Sequence, residues 1–129
     1  MAEPFRVRAT AGSLRGDPAD GFALPHAWSD AGVVVEGAGT GGHVLHAAVA
    51  LCVLNDLYRE ADRRGLPLVG VAVVAEGGFD EGWTSTGVQY DVELDAELSG
   101  DDREALLAAV DQVAEIPRAL RAGVPVVRR

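Results

Sequence analysis

Hydrophobic and polar positions alternate along several stretches of this chain and run together in one. Phe5, Val7 and Ala9 alternate with Arg6, Arg8 and Thr10, a period of two that predicts a short strand over 5–11. The run Gly16-Asp17-Pro18-Ala19-Asp20-Gly21 is rich in turn formers and predicts a loop or hairpin. A second extended stretch is expected over 21–29, Val33-Val34-Val35 reads as a third strand, and Leu68 to Ala75 as a fourth. The clearest alternation runs from Val88 to Leu98. There Val88, Tyr90, Val92, Leu94, Ala96 and Leu98 are separated by Gln89, Asp91, Glu93, Asp95 and Glu97. One face of that strand suits a core and the other suits water, the pattern of an antiparallel sheet open on one side.

A long helix is predicted over 43–64. Arg63 and Arg64 complement the negative end of its dipole, Gly65 can adopt the left-handed cap, and Pro67 blocks continuation. Its first half, Val44 to Leu54, is apolar on every side and broken only by His46. Such a helix needs cover all round. A chain of 129 residues has few elements to supply that cover, so a partner subunit is expected to complete it. Ser99, with Asp102 three residues on, signals the start of an amphipathic helix over 101–113. Leu106, Leu107, Val110 and Val113 are its expected buried stripe, and a shorter helix over 115–122 should stop at Gly123. These elements predict one α+β domain spanning 1–129, with a mostly antiparallel sheet packed on a long central helix.

Charge removes some classes of partner. Eleven basic residues against 20 acidic ones give a net charge of −9, which repels phosphate backbones and anionic lipid surfaces. Neither a nucleic acid nor a membrane is therefore expected as a partner. A single cysteine, Cys52, excludes an internal disulfide. The opening Met1-Ala2-Glu3-Pro4-Phe5-Arg6 lacks a charged segment followed by an apolar run, and Val44–Leu54 is too short to span a bilayer. A soluble, cytoplasmic protein is the expectation.

Gly37-Ala38-Gly39-Thr40-Gly41-Gly42 matches the GxGxxG pattern of dinucleotide-binding loops, with Glu76 placed where a ribose-binding acid would sit. Against that reading, Glu36 would set a carboxylate beside the pyrophosphate, and the chain has room for only one βαβ unit. The segment is read as a connection into the helix, and no cofactor is expected. Cys52 shares its helical stripe with Leu45, Ala48, Val49, Asn55 and Asp56. Apolar surroundings and Asp56 both oppose a thiolate, so reactivity would require a cation, for which Arg6, Arg8 and Arg15 are candidates. Packing as a small hydrophobe is the competing reading. His43 and His46 lie three residues apart and suit hydrogen-bonding or acid–base work. With His26 they would make a metal set, but no ligand spacing supports it and no metal is expected.

The succession of a Gly-rich loop, a long apolar helix carrying a cysteine, Arg63-Arg64-Gly65-Leu66-Pro67-Leu68 and a valine-rich strand resembles the OsmC-like family. That family includes osmotically induced proteins and organic hydroperoxide resistance proteins. The alternating strand, the amphipathic helix and the run from Arg118 to Val126 are similar to its C-terminal half, so the likeness spans about 5–126. The resemblance implies an intertwined homodimer with paired central helices and sites at the subunit interface. It also implies a catalytic role for Cys52, which matches the central-helix cysteine of peroxidatic members. The second cysteine of those members would fall at Ala114 or Glu115, so a two-cysteine cycle is closed to this chain. Gly41 and Gly42, followed by His43, stand where hydroperoxide-reducing members carry Pro-Glu, and Arg15 corresponds to their arginine.

The resemblance makes a one-cysteine, thiol-dependent peroxidase acting on organic hydroperoxides the leading expectation. Cys52, Arg15 and His43 are then the catalytic candidates, with His46, Glu115 and Asp56 lining the pocket and an external thiol recycling the oxidised sulfur. The alternatives are a non-redox enzyme using His43, His46 or Glu115 as acid–base groups, or an apolar small-molecule binder at the dimer interface.

Overall fold

A computed structural model describes residues 5–37 and 39–129. Its strands are β1 (Val7–Gly12), β2 (Gly21–His26), β3 (Ser29–Glu36), β4 (Gly70–Phe79) and β5 (Ser85–Asp95). Its helices are α1 (Gly41–Arg64) between β3 and β4, then α2 (Gly100–Val113) and α3 (Glu115–Ala122) after β5. The strands form one sheet in the order β2-β3-β1-β4-β5, and each neighbouring pair is antiparallel. No parallel pair occurs among the described residues, so the glycine-rich run has no βαβ unit around it. Glu36 is instead paired with Arg8 on the neighbouring strand, at 3.8 Å.

Register builds the core. Val35, Ala9, Val73 and Val92 stand opposite one another across β3, β1, β4 and β5. Val7, Ala11, Val33, Val71 and Ala75 extend that face, and all of them are at most 2% exposed. β-branched residues suit this pleated surface, while the alanines leave room for a helix to lie close. α1 crosses the face and buries Ala47, Val49, Ala50, Val53, Leu54, Leu57 and Ala61.

α1 begins two residues before the predicted start. Thr40 caps it in extended conformation, its hydroxyl accepting the His43 amide, and Gly41 and Gly42 are already helical. Gly65, at φ 67°, closes the helix with its amide on the carbonyls of Ala61 and Asp62. α2 starts as expected, the Ser99 hydroxyl accepting the Asp102 amide at 3.1 Å. Leu106 and Val110 are buried, but Val113 is 43% exposed, because α2 ends there and the chain turns into α3.

The all-apolar first half of α1 is covered mainly by its own chain, from the sheet on one side and from α2 and α3 on the other. What remains open is one stripe. Val44 (57% exposed), Ala48, Leu51, Asn55 and Arg59 follow at helical spacing along it. Val113, Ile116 and Leu120 of α2 and α3 are also exposed apolar residues.

Candidate functional site

Cys52 sits on the flank of α1 that meets the start of α3. Its thiol donates to Glu115 Oε2 at 3.3 Å, and the Ile116 amide donates to its sulfur at 3.5 Å. That amide is available because α3 begins without a side-chain cap, which leaves its first-turn N–H groups unpaired within the helix. Arg59, two turns beyond Cys52 on the same face of α1, joins the cluster to Asp56. One of its terminal nitrogens lies 2.5 Å from Asp56 Oδ1 and 3.2 Å from Glu115 Oε1. Asp56 is 3% exposed, and its Oδ2 has no hydrogen-bond partner among the described residues.

The electrostatics of the cluster oppose a resting thiolate. Burial pushes the Cys52 thiol above its ordinary range; the Ile116 amide works the other way, while Glu115 and Asp56 add to the rise. Burial likewise raises the Asp56 carboxyl, with Arg59 opposing. Glu115 is held below the usual carboxylate range, first by its own backbone N–H and then by the Cys52 thiol and Arg59. The resting state is therefore a protonated thiol hydrogen-bonded to an ionised carboxylate that a guanidinium holds in place. A nucleophile beside a base, with the base oriented by a third group, is the general form of an activated thiol.

Three of the sequence-predicted residues thus come together: Cys52, Asp56 and Glu115. Arg15 makes no hydrogen bond or ion pair to them among the described residues. It follows β1, with its amide on the Gly12 carbonyl and a buried Nε that has no partner among the described residues. The cation is Arg59, which sequence reasoning missed. Its signal was present, since residues seven apart on a helix return to within about 20° of the same direction.

His43 and His46 belong to a separate aromatic cluster at the start of α1. Phe5 meets His43 edge-on at 5.0 Å and Phe79 at 5.3 Å, and His46 stacks on Phe79 at 6.2 Å. His46 is fully buried; its Nδ1–H donates to the Phe5 carbonyl at 2.5 Å, and its Nε2 has no partner among the described residues. His43 Nδ1 shares a hydrogen bond with the Thr40 hydroxyl at 2.7 Å. His26 lies apart from both, bonded to Ser29 at 2.7 Å and edge-on to Tyr58 at 5.2 Å. The histidines do not assemble as a metal set among the described residues.

No family model and no curated protein matches the chain. Solved structures do. An OsmC-like hydroperoxide resistance protein from Jannaschia sp. CCS1 superposes over 97% of this chain and 92% of its own, with a TM-score of 0.51 and 14% identity. The fold is OsmC-like. An organic hydroperoxide resistance protein OsmC from Legionella pneumophila is also similar, at 23% identity over 78% of this chain and 72% of its own, with a TM-score of 0.49. The sequence resemblance anticipates a second thiol at Ala114 or Glu115, and of these two side chains it is the Glu115 carboxylate that faces Cys52. Among the described residues no helix is long and apolar enough to cross a membrane.

Proposed function

We propose that this protein is a one-cysteine, thiol-dependent hydroperoxide reductase working as a homodimer. The carrying observation is the Cys52 thiol donating to Glu115 at 3.3 Å with the Ile116 amide on the same sulfur. As the sulfur attacks the terminal oxygen of an organic hydroperoxide, the thiol proton passes to Glu115. The O–O bond breaks, the proton moves from Glu115 to the departing alkoxide, and the products are a Cys52 sulfenic acid and an alcohol. One external thiol then condenses with the sulfenic acid, releasing water and leaving a mixed disulfide. A second thiol displaces Cys52 and leaves as the external disulfide.

The proton transfer is uphill, since the thiol lies above its ordinary range and Glu115 below its own. Turnover is therefore slow at neutral pH compared with an enzyme that holds a preformed thiolate. Arg59 keeps Glu115 aimed at the sulfur. The open α1 stripe, together with the exposed Val113, Ile116 and Leu120 of α2 and α3, supports a second copy seated on this side of the protomer. Replacing Cys52 with serine tests the reading. Consumption of cumene hydroperoxide with dithiol reductant should fall to the uncatalysed rate, and consumption that survives the substitution sinks the proposal.

A further inference from the structure

The Cys52 cluster also has the donor set of a metal site. One sulfur and two carboxylates lie with their nearest ligand atoms all within 4.8 Å of one another. A tetrahedral zinc ion, with bonds of about 2.3 Å to sulfur and about 2.0 Å to oxygen, holds such atoms about 3.5 Å apart. The Cys52 sulfur and Glu115 Oε2, at 3.3 Å, already stand near that separation. Asp56 supplies an independent indication. It is 3% exposed, yet its Oδ2 is buried with no partner among the described residues. A carboxylate oxygen left in that condition is costly unless something satisfies it.

A positive charge is already drawn to the place where an ion would sit. The Arg59 guanidinium bridges Asp56 and Glu115 at 2.5 and 3.2 Å, but its side chain is 45% exposed in the single protomer, so an ion can displace it from the cluster without any backbone change. Sulfur among the donors, and only three protein ligands, disfavour magnesium and calcium, which require six or more oxygens.

We propose that Cys52, Asp56 and Glu115 bind a divalent ion of zinc type, in competition with the Arg59 guanidinium. On binding, the thiol releases its proton to solvent, Arg59 withdraws, and the fourth position is left to water. A metal-held sulfur is not free to attack a hydroperoxide, so the ion would silence the thiol. The binding itself goes beyond the peroxidase reading and does not depend on it.

Titration of the full-length protein with cobalt(II), followed by displacement with zinc, tests this without any activity assay. The expected signature is a thiolate-to-cobalt charge-transfer band that zinc abolishes. Cys52→Ser should remove the band, and Asp56→Asn should weaken binding by at least about 100-fold, beyond what loss of an outer-shell partner costs. Arg59→Gln should tighten binding, because the competing cation is gone; a merely structural role for Arg59 predicts loss instead. Cobalt binding without the band, or an Arg59→Gln protein that binds no more tightly than the parent, overturns the proposal. Should hydroperoxide consumption be absent while the band appears, the peroxidase reading fails and the metal site stands.

Discussion

The Cys52 thiol and the Glu115 carboxylate stand 3.3 Å apart across a sequence separation of 63 residues. That proximity makes two reactions of the same sulfur respond in opposite directions. Alkylation by iodoacetamide needs a thiolate and has a leaving group that requires no proton, whereas a departing alkoxide does require one. Burial raises the thiol above its ordinary range, and Glu115 adds to that rise. Glu115→Gln should therefore alkylate faster at neutral pH while consuming hydroperoxide about 100-fold more slowly. Stopped-flow rates for both reagents check the split, and a parallel change in the two sinks the proton-transfer role.

The open stripe of α1 should hold the second subunit. Val44 is 57% exposed, so Val44→Glu leaves the folded protomer unaffected while placing a charge in the seam. Sedimentation equilibrium should show the parent as a dimer and the variant as a monomer with an unchanged circular dichroism spectrum.

Acid sensitivity should reside partly in the Tyr90–Asp111 contact. The Tyr90 hydroxyl donates to Asp111 Oδ1 at 2.5 Å, and this bond, ahead of Arg121, holds the Asp111 carboxyl below its ordinary range. A carboxyl more acidic in the folded state adds stability above the unfolded carboxylate range and loses it as pH falls through the folded value. Tyr90→Phe should cost about 1 kcal/mol near neutral pH, discounted because the Asp111 side chain is 47% exposed. Urea midpoints should show that difference shrinking in acid.

Gly77 has no room for a side chain. A Cβ there would stand 2.1 Å from the Gly87 carbonyl oxygen and 3.0 Å from His46 Nε2. The first neighbour is backbone and cannot yield cheaply. Gly77→Ala should therefore destabilise the β4–β5 hairpin by at least about 2 kcal/mol, comparable to overpacking a core. Thermal unfolding should register that loss.

Much of this architecture was legible because local rules decide it. The period of two in Val88–Leu94 and the stop at Gly65 with Pro67 both specify backbone before any tertiary contact forms. The end of β5 was less so. Ala96 and Leu98 continue the alternation, but the Val69 amide bonds the Asp95 carbonyl and the ladder ends there. The site was half legible. Cys52 and Glu115 stood out as residue types, while their meeting depends on how α3 docks, which no local pattern encodes. The glycine-rich run misled because strand order, not loop composition, decides whether a phosphate cradle exists.

Cys52 and Arg59 ride on one rigid rod, whereas Glu115 and the Ile116 amide arrive on a separate two-turn segment joined at Ala114, whose ψ of 121° breaks the helical path. A tilt of that segment would withdraw the sulfur's proton acceptor and its amide donor in one movement and leave the guanidinium behind. The guarding of the thiol thus rests on how one short segment is seated rather than on anything at the sulfur itself.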